Sequence, residues 1–268
     1  MEINLASVVK SLRESDFECW LKYHVSLGFN NIFIIDNDSP EWVKNICLKY
    51  KNVIYLKYSG KMNWPLQSKL LKDLAIKFSS KKETWFSFID DDEFLYFTNG
   101  NNPKEWLNDK IIKYPNCNQF SLYWKFLGAE NGIKERELQE NFIDAFRYSN
   151  YEFKIDKNGQ SCWIKSFIKF TPNMINTQED PHMIYKESID CLGNVLTEKN
   201  SPYINLVNHD AYCYHCYYLS EKEFNDKWYS KYVMSLCVVK KPWDYNKQDW
   251  NWYSKKDDNL YDYYHKLS

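Results

Sequence analysis

Four consecutive acids, Asp90-Asp91-Asp92-Glu93, follow the β-rich run Thr84-Trp85-Phe86-Ser87-Phe88-Ile89 and precede Phe94-Leu95. Like charges crowded behind a buried strand repel one another, and a divalent cation relieves that repulsion. Mn2+ or Mg2+ prefers oxygen ligands and keeps positions open for phosphate oxygens. In an extended segment alternate side chains share a face, so Asp90 and Asp92 can reach one ion while Asp91 points elsewhere. A metal held there would neutralise charge building on a departing nucleoside diphosphate, which is Lewis-acid leaving-group catalysis. The bland alternative is a solvated acidic turn, and the core-like residues framing the cluster argue against it.

The acids need elements to hold them, and the first third of the chain supplies a repeating alternation. Leu5 to Val9 reads as a strand; Phe17, Trp20, Leu21 and Val25 fall at helical spacing from Glu14 to Leu27, with Gly28 as the stop. Asn31 to Asp36 is an apolar run ending in the turn chemistry of Asp36-Asn37-Asp38-Ser39-Pro40. Val53 to Tyr58 is a further strand, and Pro65 opens a helix continued by Leu66, Leu70, Leu74 and Phe78. Strands that read as buried runs between helices predict an α/β fold with a mostly parallel sheet flanked by helices. In such sheets the ligand crevice lies at the carboxyl ends of the strands, where both Asp36-Asn37-Asp38 and Asp90 to Glu93 fall.

Beyond residue 100 the pattern is less regular. Asn118 to Phe126 and Cys162 to Phe170 read as strands, and the charged stretch Lys134 to Phe146 reads as a helix or lid. Ser220 to Met234 reads as an amphipathic helix, with Ser220 and Glu223 as its capping box. No linker or repeat marks a boundary, so residues 1–235 are expected to form one domain. Residues 236–268 then make an aromatic, lysine-rich extension that packs on the body or lies on a membrane surface.

Lys+Arg 35 against Asp+Glu 36 gives no basic field of the kind that attracts nucleic acid. Aromatic residues at 18% suit sugar-binding clefts, because their rings offer apolar faces with wet polar edges; a compositional habit explains them as well. No run approaches a membrane span, and the first residues lack the apolar core of a signal peptide. Cys213 and Cys216 form a CxxC without a partner pair at zinc spacing, so reduced thiols in a cytoplasmic protein are expected.

Glu14, then Glu18-x-Trp20-x-x-Tyr23-His24-x-x-x-Gly28, the strand ending Asp36-Asn37-Asp38-Ser39, Gln67, and Trp85-x-x-x-Ile89-Asp90-x-Asp92-Glu93-Phe94 resemble the glycosyltransferase family 92 group and its relatives of GT-A fold. The resemblance continues through Trp124-x-x-x-Gly128, Lys165 to Pro172, His182, and Asn208 to His215 with Ser220, Phe224 and Lys227. It implies a GT-A-type sheet whose second half faces the acceptor. It also implies transfer from a nucleotide-sugar, UDP-linked, to a glycan or glycolipid with inversion, and Mn2+ or Mg2+ bridging protein and diphosphate. By that analogy Asp90, Asp92 and His215 are the metal side, and Glu14, Asp36, Asp38 and Gln67 stand around the nucleoside. Asp91 touches the ribose or donor sugar, Glu93 secures the loop, and Lys227 meets a phosphate. Tyr214-His215-Cys216 departs from the family's His-Tyr order, and His209 competes for the ligand role.

Inversion needs a carboxylate to take the acceptor's proton. Glu130, in the loop Gly128 to Gly132, and Asp180, beside Glu179 and before Pro181, are the candidates. Two other classes stay open at this point: a metal-dependent phosphoesterase or nuclease, and a non-catalytic carbohydrate-binding module.

Overall fold

The computed structural model describes residues 1–79, 82–98, 100, 102–129, 135–137, 139–149, 164–171, 188–190, 193, 195–196, 210–216, 220–223 and 255–267. Strand β1 (Ile3–Val9) is buried along its whole length. Helix α1 (Glu14–Ser26) follows, with Glu14 and Asp16 in the first turn, where carboxylates favour the helix dipole. The turn after it places Gly28 at φ 79, a backbone conformation that costs a glycine little. Strand β2 (Asn31–Asn37), strand β3 (Val53–Tyr58), helix α3 (Trp64–Phe78) and strand β4 (Thr84–Phe88) continue the expected alternation, and helix α2 (Glu41–Cys47), which the sequence reading did not include, stands between β2 and β3. Asn63 caps α3 by accepting from Leu66 N–H, and a proline fills its first turn.

β1 pairs in parallel with both β2 and β4, and β2 in parallel with β3. The strand order is therefore β3-β2-β1-β4, and the chain reverses its direction of winding between β1 and β4. Alternation along the strands sends Ile3, Leu5, Ile32 and Ile34 to one face, where Phe17, Trp20 and Leu21 of α1 and Val43 and Ile46 of α2 cover them. Ala6, Val8, Phe33, Ile35, Phe86 and Phe88 face the other way, onto Leu71, Leu74 and Ala75 of α3. The α/β reading holds. A sheet wound in both directions opens a crevice at the reversal, beyond the carboxyl ends of β1 and β4.

Past β4 the chain turns into strand β5 (Glu93–Phe97), helix α4 (Pro103–Lys113) and the long strand β6 (Gln119–Gly128). The shorter elements are α5 (Phe142–Ala145), β7 (Tyr148–Ser149), β8 (Ile164–Phe170), β9 (Ser188–Asp190), β10 (Val195–Leu196), β11 (Ala211–His215), β12 (Lys255–Lys256) and α6 (Asn259–His265). β8 lies antiparallel between β4 and β6, and β9 and β10 continue the sheet beyond β6. β5 leaves the main sheet to pair antiparallel with β11, which pairs in parallel with the second half of β6. The acidic segment thus bridges two sheets.

Two expectations are corrected here. Of the helix-or-lid reading of 134–146, the helix half is corrected: among the described residues there only Phe142–Ala145 is helical, and Arg136 turns inward to Asp16. Residues 90–93 are not extended: Glu93 N–H donates to Asp90 C=O at 3.2 Å, closing a turn, so the every-other-residue alternation fails there. Ser220 and Glu223 do form a capping box, and 221–223 are helical; 224–234 lie outside the described residues. In the C-terminal stretch, Leu260 of α6 enters the main core and Tyr263 meets Tyr23 edge-on. No helix among the described residues is long and apolar enough to cross a membrane.

Candidate functional site

The turn that joins β4 to β5 is tied down from four sides. Asp90 accepts from Gln67 Nε2 of α3 at 3.1 Å through Oδ1 and from Lys165 Nζ of β8 at 3.0 Å through Oδ2. Asp91 accepts a short bond from Ser11 Oγ, on the loop after β1, and Ser11 N–H donates to Ser39 Oγ after β2. Glu93 reaches back so that Oε2 accepts Asp90 N–H at 2.8 Å, the loop-securing role expected of it. Asp92 C=O accepts Cys216 N–H at 2.9 Å. The reversal point of the main sheet, α3, β8 and the end of β11 all converge on these four residues.

Glu93 is fully buried, and burial pushes its carboxyl up to about 7, with Lys165 opposing the shift. Its Oε1 has no hydrogen-bond partner among the described residues. Burial works equally against the charge on Lys165, yet Asp90 and Glu93 hold its ammonium above the ordinary value. His215 ends β11 with Nε2 3.4 Å from Asp92 Oδ1 and Nδ1 3.9 Å from Glu93 Oε1. Trp124 packs edge-on to the imidazole, with centroids 4.4 Å apart.

α1 carries a second set of fixings. Trp20 Nε1 donates to Glu93 C=O at 2.8 Å and Tyr23 OH to Leu95 C=O at 2.7 Å. His24 Nδ1 donates to Trp20 C=O at 2.8 Å, so its Nε2 is left to accept Leu95 N–H, at 3.5 Å. Trp20, read as part of the apolar helix stripe, therefore joins Tyr23 and His24 in holding the backbone of β5, and with it the exit of the acidic turn.

Burial drives His24 down to about 3, so the folded protein keeps it neutral. The unfolded chain gains a proton there below its ordinary value near 6.5, and the folded state does not follow until about pH 3. Stability linked to His24 is thus complete above 6.5 and drains away as pH falls, by about 2 kcal/mol at pH 5. Glu93 runs the opposite way, since its raised carboxyl favours the folded state as pH drops below about 7. We expect His24→Gln to lose less stability than wild type between pH 7 and pH 5, measured by urea unfolding at both pH values. Equal losses in the two proteins would refute this role for His24.

The expected nucleoside-side acids lie near the crevice but are differently engaged. Asp36 is buried, with Oδ1 accepting Ser39 N–H at 2.9 Å and Oδ2 accepting Tyr55 OH at 2.7 Å; it holds the turn after β2. Asp38, at φ 55, accepts from Ser59 Oγ at 3.0 Å and Gly60 N–H at 3.3 Å, joining the ends of β2 and β3. Glu14 is the exposed first residue of α1. Glu130, Asp180, Lys227 and His209 lie outside the described residues.

Among the described residues no three His, Cys, Asp or Glu side chains converge to hold a metal by themselves. The Asp92–His215 pair offers one carboxylate and one imidazole, a donor set that suits Mn2+ or Mg2+ when a diphosphate and water supply the other positions. The CxxC thiols, Cys213 and Cys216, lie on either side of His215. Both are free and buried, and burial pushes them well above the ordinary thiol range.

Sequence reading met Lys165 only within the stretch Lys165 to Pro172, with no role in the acidic turn, and missed Ser11 and Arg136. A lysine amid Ile164, Phe167, Ile168 and Phe170 was the available signal for the first, because an isolated charge in a buried strand needs a partner.

No family model matches the chain, and no curated protein does. Among solved structures, the UDP-glucose pyrophosphorylase of Acinetobacter baumanii is similar at a TM-score of 0.41 and 9% identity, over 74% of this chain and 88% of that one. HddC of Yersinia pseudotuberculosis is similar at 0.38 and 9%, over 72% and 92%. The 4-diphosphocytidyl-2C-methyl-D-erythritol synthase of Anaerococcus prevotii is similar at 0.36 and 10%, over 77% and 93%. At such scores these similarities assign neither a substrate nor a reaction to this chain.

Proposed function

We propose that this chain is a metal-dependent glycosyltransferase that moves a sugar from a nucleotide-sugar, UDP-linked, to a glycan or glycolipid hydroxyl with inversion. The observation that supports it is the placement of Asp92 and His215, 3.4 Å apart, beside an acidic turn at the winding reversal of the sheet. On this reading Mn2+ or Mg2+ supplies Lewis-acid stabilisation of the leaving diphosphate.

The chain's own residues do the rest. Asp92 and His215 present the oxygen and nitrogen donors at the diphosphate end. Asp91, oriented by Ser11, faces the ribose or donor sugar. Glu14 and Asp38 stand on the nucleoside side, and Asp36 shapes that wall through Ser39 and Tyr55. The acceptor oxygen attacks the anomeric carbon, the carbon–oxygen bond to the diphosphate breaks, and its electron pair leaves on the nucleoside diphosphate. Glu130 or Asp180 takes the hydroxyl proton, and Lys227 steadies a phosphate.

Calorimetric titration with UDP, GDP and CDP, each with and without Mn2+, tests this. Binding of a diphosphate, UDP foremost, only in the presence of the metal is the expected result. If no diphosphate binds, or binding ignores the metal, the proposal fails. Release of free phosphate from a nucleotide without sugar transfer would point to a phosphoesterase instead.

A further inference from the structure

Lys165 is the second residue of β8 and is 1% exposed. Its register partner on β6 is Leu122, and Phe167 follows it on the same face, so its surroundings are apolar apart from one direction. In that direction Nζ lies 3.0 Å from Asp90 Oδ2 and 3.1 Å from Glu93 Oε2. One ammonium therefore touches both ends of the acidic turn. Glu93 Oε2 also accepts Asp90 N–H, and Gln67 holds Asp90 Oδ1, so the first acid is fixed through both oxygens to α3 and β8.

We propose that Lys165 is a positioning residue for the reaction: a built-in counter-cation that folds the acidic turn and makes Asp90 its anchor. This inference rests on reading the turn as the diphosphate end of the site. It revises the expectation from the sequence that Asp90 is a metal ligand, since Asp90 acts through Lys165 and leaves Asp92 and His215 to meet the cation and diphosphate. A buried ammonium fixed by strand backbone cannot follow a ligand in and out. It offsets charge on Asp90 and Glu93 whether or not a metal is bound, so that the turn holds its shape without one.

A charge role and a packing role separate in a double-mutant cycle. Lys165→Met keeps most of the side chain's volume and removes its charge; Glu93→Gln removes the ionisable carboxyl of one of its two partners and keeps an acceptor for Asp90 N–H. Two readouts are taken on the full chain: hydrogen exchange of the segment 88–95, which needs no ligand, and Mn2+-dependent UDP affinity by calorimetry. Lys165→Met is expected to speed exchange in 88–95 and to weaken Mn2+–UDP binding, each by about tenfold. Adding Glu93→Gln is expected to recover most of both losses. The inference is overturned if Lys165→Met matches wild type in both readouts, or if the two losses simply add.

Should Lys165→Met fail to fold, the double variant decides. Recovery of folded protein supports the charge role, and failure of both variants shows that packing is what matters at 165. If wild type binds no Mn2+–UDP, the glycosyltransferase reading falls, while the exchange cycle still judges Lys165.

Discussion

Asp92→Ala is expected to abolish Mn2+-dependent binding of UDP, weakening it by at least about 100-fold, and to leave the fold intact. Asp92 is the acid of the turn whose Oδ1 lies against His215 Nε2, so its loss leaves the imidazole without the neighbouring oxygen donor. The bond that ties residue 92 to β11 runs from Cys216 N–H to its backbone carbonyl, which alanine keeps. Far-ultraviolet dichroism and thermal unfolding should therefore show little change, whereas the calorimetric signal with UDP and Mn2+ disappears. Unaltered affinity in a folded Asp92→Ala protein would remove the basis for the proposed donor site.

The largest effect on stability is expected at Arg136. Its side chain is fully buried and forks onto Asp16, with bonds of 2.8 and 2.7 Å, while Nε donates to Glu223 at 2.9 Å. The guanidinium also faces Phe142 and Phe146, 4.9 and 5.1 Å from their ring centroids. Burial opposes all these charges, but the two carboxylates hold Arg136 above its ordinary value, and Arg136 holds Glu223 below the usual carboxylate range. Arg136→Met would leave Asp16 buried without its bidentate partner, a change that typically costs about 3–5 kcal/mol. For a chain of this size that lowers the melting temperature by roughly 10 °C.

Urea unfolding measures this directly, and a second substitution separates its causes. Pairing Arg136→Met with Asp16→Asn should lose less stability than Arg136→Met alone, because the buried charge then left with only Arg13, at 3.7 Å, is gone. A loss below about 1 kcal/mol for Arg136→Met would mean that water or other groups solvate Asp16 when the arginine is absent. The node joins the start of α1 to the helical turn at 221–223, a few residues beyond Cys216. Its loss should therefore also loosen the segment that carries His215.

The alternation of β1, α1, β2, β3, α3 and β4 was written in the sequence, because each reports a local preference. Leu66, Leu70 and Leu74 recur at helical spacing, and Asn31 to Ile35 is an uninterrupted buried strand, whatever lies beside them. The position of the acids at strand ends, and hence the location of the candidate site, followed from the same local order. β5 and β11 did not follow. Phe94-Leu95 and Ala211 to Cys213 are short apolar runs whose strand character depends on each other, and nothing local in either run names its partner.

The roles within the site were decided later still. Asp90 to Glu93 read as extended until the bond from Glu93 N–H to Asp90 C=O closed the turn and ended the alternation that put Asp90 and Asp92 on one face. Asp36 read as a ligand-facing acid, and folding brings Tyr55 and Ser39 N–H onto its two oxygens. Lys165 stood only at the head of the matched stretch Lys165 to Pro172, and Arg136 only inside the charged stretch Lys134 to Phe146. What a buried charge does is set by which opposite charge the fold delivers to it, and that is a property of tertiary structure alone. The sequence by itself placed four acids at the carboxyl end of a buried strand; only the folded chain separated them into Asp90 on Lys165, Asp91 on Ser11, Asp92 by His215, and Glu93 turned inward.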